Sequence, residues 1–592
     1  MTHSTRPKPD LLIVNSFTPR RRSLSDVFLD NGTGMLRAHL EDHGYRVDID
    51  DRSTIPGFGT FSPSWMTRVL RPLAARLAAL PPGQTPSRVE ALAFFGLQEA
   101  LSAVQRRRMR RYIRSIVERV RRERIPVVGV KVWYGEAFTW SKALVAELRR
   151  VCPEVITVAG GPHANLYNHD GLILRHSNFD LAIYGEGEQA LAAVLSAVQA
   201  GADRADRLAR IGALELPGLI WRDGERIVVN PPDSLDIKTK PIPNYGDSLA
   251  VKARVHTIID AIGCDYNKCS FCAHKTIYGD YRRRPAVDVV DEMEHMIAQG
   301  VAIFRFAAGD TPLPHALTIA REILARGLHV EFSMFHRAVR GVSHRTERLV
   351  EDYRVLMQAG LRAIFMGMET GDDKTNCEML KKNVVAEDII GTMDALRHAR
   401  ALEGVRCDLS LATIHPVPAR DVSWEELRQR TLDVGLAARP DSILIAPPGV
   451  FPGTDWYEHP EEYGFEFDAD YIKLLMEYEY VLYKPVELWK VGAYKLGGRG
   501  LREIFAETAR LRQAFEAAGI AIDLGDEDFL LLQAAGEDPH TYRRESLADI
   551  ISCSDRYSRG IYERLNAKSL ALAASNAVRP PASGVPLAAA AA

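Results

Sequence analysis

The sequence predicts an α/β protein. An N-terminal doubly wound parallel sheet comes first, a partial or full six-unit β/α barrel follows, and a helical region ends the chain. Three observations carry this. Short apolar runs alternate with amphipathic helical stretches over residues 10–460, glycine-rich turns end several of the runs, and a hairpin with a Pro-rich linker divides the alternation into two series.

In the first series, residues 11–14 (LLIV) form an unbroken apolar run, as a strand covered on both faces requires. The turn-rich Asn15-Ser16-Phe17-Thr18-Pro19 ends it, and residues 33–44 repeat apolar positions at helical spacing. Residues 46–50 alternate like a strand, 127–132 are mostly β-branched, 141–150 are helical, and 155–158 form a strand before Gly160-Gly161. A strand at 181–184 and a helix at 189–198 complete the series. Ligands of such a sheet sit outside the C-terminal ends of its strands.

Between the second and third strands lies an insertion, residues 55–125, predicted to be mostly helical and ending in an Arg-rich stretch at 106–124. Met109, Ile113, Ile116 and Val120 fall at helical spacing there, one buried stripe under a basic surface. That surface reads as a solvated helix face, with an anion or nucleic-acid patch as the alternative. Residues 216–231 suggest a hairpin turning at Asp223-Gly224, and a Pro-rich linker runs on to Asn244. Strands of the second series are expected at 256–261, 303–307, 329–335, 363–366, 408–414 and 442–446, with their ends lining one functional face. The expected division is 10–205 for the first domain, 206–250 for hairpin and linker, 251–475 for the barrel, 476–570 for the helical region and 571–592 for a disordered Ala/Pro-rich tail. The helical region is expected to cover the barrel mouth, with Tyr478, Tyr480, Tyr483 and Trp489 as candidate lining residues beside the plain reading of core packing.

The 77 acidic and 75 basic residues nearly cancel, so no overall field argues for nucleic acid or an anionic membrane. A small molecule or peptide is the simplest partner. Residues 1–10 lack a signal-peptide pattern and no apolar run is long enough to span a bilayer, so a cytoplasmic chain is expected. Seven cysteines among 592 residues make no disulfide framework, and in a reducing compartment they stay free for ligation. Cys152, Cys377, Cys407 and Cys553 are scattered and read as structural thiols.

The other three stand together in Gly263-Cys264-Asp265-Tyr266-Asn267-Lys268-Cys269-Ser270-Phe271-Cys272, a loop after the first strand of the second series. Three thiolates on a four-iron cluster leave one iron open to bind a substrate or cofactor directly. A zinc site with His274 or His256 as fourth ligand, and unligated buried thiols, are the alternatives at this point.

Cys269-Ser270-Phe271-Cys272 resembles the cysteine loop of the radical S-adenosylmethionine (SAM) superfamily, with Phe271 in the place of the aromatic residue that packs against the SAM adenine. The family's usual spacing is Cys-x3-Cys-x2-Cys, whereas four residues separate Cys264 from Cys269 here. The pattern continues through Tyr281-Arg282-Arg283-Arg284-Pro285 to the strand at 303–307. Ala308-Gly309-Asp310-Thr311 then stands where many members carry Gly-Gly-Glu for the SAM amino group, and Asp310 resembles the acidic strand end of the B12-dependent branch. Gly367-Met368-Glu369-Thr370-Gly371, followed by Met379-Leu380-Lys381-Lys382, resembles that branch's fourth-strand segment, and Pro452-Gly453-Thr454 also matches it. The resemblance makes Glu369 a SAM-binding candidate; a capping or ion-paired carboxylate is its plain reading.

Gly160-Gly161-Pro162-His163-Ala164 and Tyr184-Gly185-Glu186-Gly187-Glu188 end two strands of the first series, where glycines allow a ligand to approach the backbone. Their order ahead of such a core resembles the Rossmann-like cobalamin-binding domain of B12-dependent radical SAM enzymes. The resemblance covers about residues 10–460 and implies a [4Fe-4S] cluster on Cys264, Cys269 and Cys272, SAM held by Phe271, Asp310 and Glu369, and cobalamin (methylcobalamin or hydroxocobalamin) cradled by Asn15, Ser16, Thr18, Trp133, Tyr134, Gly160, Gly161, Pro162, His163, Gly185, Glu186 and Gly187. An Asp-x-His-x-x-Gly motif is absent, so the cobalt is expected without a histidine ligand from the protein, Trp133 or Tyr134 covering that face. The activity implied is methyl transfer from SAM by way of methylcobalamin to an unactivated carbon, or to phosphorus, through a 5'-deoxyadenosyl radical, fed by an external one-electron reductant such as flavodoxin or ferredoxin. Rearrangement or cyclisation without methyl transfer is the alternative. A zinc-stapled corrinoid-binding protein is a third reading, from a different class.

Overall fold

The structure, a computed structural model, describes residues 8–79, 87–167, 169–232, 237–478 and 489–577. Strands β1 (Leu11–Asn15), β2 (Val47–Asp50), β3 (Val127–Lys131), β4 (Ile156–Gly160), β5 (Leu181–Ile183), β6 (Leu219–Asp223) and β7 (Arg226–Val229) form one sheet in the order β2-β1-β3-β4-β5-β6-β7. The first five are parallel, and the β6–β7 hairpin extends the β5 edge antiparallel. All five residues of β1 are buried, because both faces are covered. Leu11 and Ile13 pack with Leu40 and Val194, from helices Asn31–Asp42 and Glu188–Ala200. Leu12 and Val14 pack with Ile116 and Leu144, from helices Arg88–Glu123 and Glu136–Val151 on the other side. The chain leaves β1 toward β2 and returns past it to β3, so the crevice of the fold opens at the ends of β1 and β3.

The insertion is helical: Gly57–Phe61, Ser64–Ala78 and Arg88–Glu123. Met109, Ile113, Ile116 and Val120 form the buried stripe that their spacing predicts. Of the linker expected up to Asn244, residues 233–236 lie outside the described residues, and a helical turn, Ile237–Thr239, follows them.

The second unit starts with β8 (Val255–Ile258). A small ribbon comes next, β9 (Ala261–Ile262) paired antiparallel with β10 (Arg282–Arg283). Strands β11 (Ile303–Phe306), β12 (Glu331–His336), β13 (Leu361–Glu369), β14 (Asp408–Ile414) and β15 (Ser442–Ala446) then add in sequence order, all parallel. β16 (Phe465–Phe467), β17 (Tyr494–Leu496) and β18 (Arg499–Gly500) make a separate antiparallel sheet, while β19 (Ala521–Ile522) joins the barrel strands beside β15. The resulting order, β19-β15-β14-β13-β12-β11-β8, leaves β8 and β19 as edges, so the barrel is partial. The expected strand at 256–261 stops at Ile258. Asp260 leaves the strand line to accept from the Ala308 N–H at 3.0 Å and the Thr311 hydroxyl at 2.9 Å.

The C-terminal region holds the helices Leu501–Ala517, Asp526–Ala535, Pro539–Ser552 and Ser558–Ala577, with three short strands that its helical pattern did not announce. Two expectations are corrected. The chain stays helical to Ala577, so the tail expected from 571 does not begin there, and residues 578–592 lie outside the described residues. The last helix lies at the end of the barrel opposite the mouth. Its Asn566, Ser569 and Asn576 accept from the backbone N–H groups of Arg254, Ala302 and His329, just before β8, β11 and β12, at 2.7, 3.0 and 2.7 Å. Those strand starts have free donors, and side-chain oxygens on one helix face satisfy them. The mouth is framed instead by the β16–β18 sheet, whose Tyr494 hydroxyl donates to Pro448 O beyond β15. Among the described residues no helix is long and apolar enough to cross a membrane.

The C-terminal helices also grip the first unit. Arg71 pairs with Glu545 at 2.6 Å and Asp549 at 2.8 Å, and buried Arg21 donates to the hydroxyls of Ser558 and Tyr562, each at 3.0 Å. Arg21→Ala strands those buried acceptors and is expected to cost roughly 2–3 kcal/mol in chemical denaturation, whereas Arg106→Ala on the exposed basic helix stays within about 0.5 kcal/mol.

Candidate functional site

The cysteine loop follows the β9 strand at the mouth of the barrel. Gly263 (φ 85°) and Asn267 (φ 49°) turn the backbone through left-handed conformations on either side of Cys264. The Ser270 N–H donates to Leu380 O at 3.0 Å, its hydroxyl to Met379 O at 2.7 Å, and the Tyr266 hydroxyl to Lys381 O at 2.7 Å. The segment after β13 therefore serves as the template on which the loop is laid. Arg337 closes the arrangement, with its guanidinium 3.8 Å from the Tyr266 ring centroid and a bond to Lys382 O.

Burial pushes the Cys269 thiol up to about 12 and raises that of Cys272, and each of the two feels the charge of Cys264. The three sulfurs are thus within Coulombic reach of one another. Among the described residues, however, no group of three His, Cys, Asp or Glu side chains is drawn together tightly enough for one metal ion. His256 is spent elsewhere, with Nδ1 at 2.6 Å from the Tyr245 hydroxyl and Nε2 at 2.7 Å from Glu292. The His274 Nδ1 is buried without a hydrogen-bond partner among the described residues.

Glu369 ends β13 with φ 63°, after a register shift between Gly367 and Glu369. Its carboxylate takes the Lys382 ammonium at 2.5 Å, and both groups are buried. Burial alone would lower the Lys382 pKa, but the charges of Glu369 and Cys269 raise it on balance. A Cβ at Gly367 would come within 2.3 Å of Glu369 Oε1 and 2.4 Å of Lys382 Nζ, so a side chain there would displace the pair. Asp310 is buried at the end of β11 and accepts from the Arg337 N–H at 3.0 Å; burial raises its pKa. The Phe271 ring packs 5.7 Å from that of the fully buried Trp456, whose backbone N–H donates to Ser270 O.

The barrel interior is open toward the C-terminal ends of its strands, whereas Ser333, Ala363 and Ser410, lower on the same faces, are fully buried. On alternate positions Arg305, Phe335, Phe365, Gly367, Ala412, Ile414, Leu444 and Ala446 are partly accessible, while Phe304, Phe306, Met334, Ile364, Met366, Leu411, Ile443 and Ile445 between them are buried against the helices. A filled barrel would bury both sets.

A cavity of about 680 Å³ lies between the two units. Of the residues that the resemblance assigns to cobalamin, Gly160, Gly161, Pro162, Gly185, Glu186 and Gly187 line it, on the sheet side. Asn15, Ser16, Thr18, Trp133, Tyr134 and His163 are not in the lining. They form the adjoining wall, where Asn15 Oδ1 accepts from the Trp133 indole at 3.1 Å, the Ser16 hydroxyl accepts from the Trp133 N–H at 2.9 Å, and Thr18 donates to Glu136 at 3.0 Å. The His163 ring lies 4.1 Å from Tyr134 and 5.3 Å from Trp133, and burial pushes its pKa well down, leaving it neutral. Of the candidate mouth residues, Tyr478 stacks on Tyr134 at 5.2 Å and Trp489 meets Phe505, while Tyr480 and Tyr483 lie outside the described residues.

Sequence reasoning missed Asn31, Lys131 and Asn165 on the sheet side of the cavity and Thr257, Lys275, Tyr278 and Gly309 on the barrel side. Asn31 is 9% exposed, and its Oδ1 is buried with no partner among the described residues. An unpaired acceptor in a large mixed cavity is what a polar, bulky cofactor would satisfy. Lys131 and its partner Asp30, 2.5 Å away, stand at the β1/β3 crevice. The signal for these residues was the strand order, which one sequence does not display.

The comparisons with known proteins agree with both halves of this geometry. Residues 97–195 match the family model of the B12 binding domain, and residues 258–411 match that of the radical SAM superfamily. An anaerobic magnesium-protoporphyrin IX monomethyl ester cyclase of Rubrivivax gelatinosus is 26% identical over 253 residues, and one of Cereibacter sphaeroides is 28% identical over 260. Each match takes in 40% of this chain, which spans only 43% and 39% of those relatives. Among solved structures, the radical SAM methyltransferase TsrM of Kitasatospora setae, with cobalamin and a [4Fe-4S] cluster bound, aligns with TM-score 0.58 at 17% identity over 93% of this chain and 99% of that one. The cobalamin-dependent SAM radical enzyme OxsB aligns with TM-score 0.51 at 17% identity, over 77% and 56%. At such identity the likeness is one of fold.

Two substitutions separate the halves of the site. Gly161→Val puts a side chain where even a Cβ meets Lys131 Cγ at 2.9 Å and where φ is 93°, so absorbance of the purified protein is expected to show less bound cobalamin with unchanged iron. Lys382→Met leaves Glu369 buried without its partner, and SAM affinity in equilibrium dialysis is expected to fall by about tenfold or more.

Proposed function

We infer that this chain, a cobalamin-dependent radical SAM enzyme, is a methyltransferase acting on an unactivated carbon, or on phosphorus, of a small molecule or peptide. The observation that carries the reading is the cavity between the two units, lined at once by the glycine turns of β4 and β5 and by the residues flanking the cysteine loop, Ala261, Ile262, Gly263 and Lys275. Two cofactor sites facing one space allow one substrate atom to meet both. When bound, the cluster and SAM supply a radical that removes hydrogen from an unactivated position, and cobalamin supplies a methyl group.

The residues of the chain have positional work in this reading. Cys264, Cys269 and Cys272 would hold the cluster. Glu369, fixed by Lys382, would orient SAM from the end of β13, with Asp310 holding the β11 end against Arg337. Phe271 would present an apolar edge, braced by Trp456, to the adenine. The β4 and β5 turns would take the corrin and its tail, with Lys131 and Asn31 as polar contacts. Neutral His163, lodged among Trp133, Tyr134 and Tyr167, would lie beside the corrin without ligating the cobalt. An external one-electron reductant and a reducing cytoplasm belong to the same reading.

Cyclisation or rearrangement without methyl transfer is favoured by one observation, the name carried by the two curated relatives. TsrM, whose fold matches nearly the full length of this chain, is a methyltransferase and supports the first reading. Incubation with methyl-labelled SAM and reductant is expected to give labelled product together with 5'-deoxyadenosine; deoxyadenosine without label would overturn methyl transfer. After anaerobic reconstitution Cys269→Ala is expected to lose all four irons together, whereas loss of a single zinc would return the zinc-stapled binding protein.

A further inference from the structure

The open lumen of the barrel holds a charged group to which the two cofactors assign no task. Arg305 stands on a partly accessible position of β11, one residue before the strand ends and two before Ala307, which lines the cavity between the units. Its Nε donates to Asp526 at 2.9 Å and lies 3.0 Å from Glu527, at the start of the helix Asp526–Ala535. Its guanidinium lies 4.9 Å from the centroid of the Phe335 ring, within cation–π range. Among the described residues Nη1 and Nη2 take no hydrogen bond, and the side chain keeps 17% of its surface accessible. Phe335 meets Phe365 edge-on at 5.1 Å on the neighbouring strand, and both are partly accessible.

We propose that this lumen floor seats the substrate's head group, and that the substrate is a free aromatic α-amino acid. The proposal rests on the reading that the reacting substrate enters the barrel, and it deepens that reading by naming a chemical class. The Nη pair of an arginine offers two parallel N–H donors, the pattern that a carboxylate fills. Charge selects further. Asp526 is satisfied by Arg305 Nε and by the Ser333 hydroxyl at 2.8 Å, whereas Glu527 keeps 33% of its side chain accessible beside the fork. One cation and two carboxylates leave the floor with net negative charge, so a lone carboxylate meets repulsion from Glu527. A ligand with an ammonium next to its carboxylate places opposite charge on both groups. The Phe335–Phe365 corner offers an apolar wall to a flat side chain.

The test uses holoenzyme carrying cluster and cobalamin, and reads binding by equilibrium dialysis without reductant. The probes are two matched sets: L-tryptophan, tryptamine and indole-3-propionate, and L-phenylalanine, phenethylamine and 3-phenylpropionate. In at least one set the amino acid is expected to bind at least about tenfold more tightly than its amine and its acid. Arg305→Lys keeps the ion pair with Asp526 but has no fork to spare, and is expected to lose at least about tenfold in affinity for that amino acid while iron content and SAM affinity hold. Glu527→Gln is expected to shift preference toward the plain acid, and it carries the test if the lysine variant fails to retain its iron. The proposal is overturned if no amino acid binds, if amine or acid binds as well, or if both variants bind unchanged. Binding is read without turnover, so deoxyadenosine formed without methyl transfer would sink the methyltransferase reading and leave this result standing.

Discussion

The active end of the barrel depends on the bond between the cysteine loop and the segment that follows β13. Ser270 and Tyr266 hang the loop on the carbonyls of Met379, Leu380 and Lys381, and Glu369 and Lys382, on the two sides of that segment, are buried against each other. A loop of this length loses much conformational entropy when ordered, and three hydrogen bonds from one side offset part of it. The consequence is that the candidate cluster ligands and the SAM-binding candidates share one substructure. The left-handed φ at Gly263, Asn267, Glu369 and Lys381 shows the backbone held in sparsely populated conformations on both sides of it.

The space between the units follows from two edges meeting. A doubly wound sheet opens its crevice at the ends of β1 and β3, and a parallel barrel opens at the ends of its strands. Here the two openings face each other across a single cavity. Arg21 and Arg71 hold the C-terminal helices to the first unit, while Asn566, Ser569 and Asn576 hold them to the far end of the barrel. The C-terminal region thus acts as a brace behind the cavity, and the mouth itself is left to the short β16–β18 sheet.

Much of the fold was legible in the sequence because its signals are local. The apolar run at 11–14, the stripe through Met109 and Val120, and the six barrel strands are read from the period of the side chains, which the backbone geometry imposes. The cysteine spacing and the Gly367–Gly371 segment marked the chemistry for the same reason. The strands at 494–500 and 521–522 were illegible because two or three residues carry no period, and the helix ending at Ala577 was masked by an alanine-rich composition that suits helix and tail alike.

By itself the sequence determined the class of chemistry: three cysteines on one loop, a glutamate ending a strand, and glycine turns ahead of them, all fixed by neighbours within a dozen residues. The tertiary structure decided everything that depends on residues hundreds of positions apart meeting in space. That His256 belongs to a buried Tyr245–Glu292 network and not to a metal, that Asn31 and Lys131 face the cavity, and that Arg305 meets Asp526 and Glu527 in an open lumen are facts of packing. Such contacts are chosen by the burial of the whole chain, and no local period or spacing encodes them.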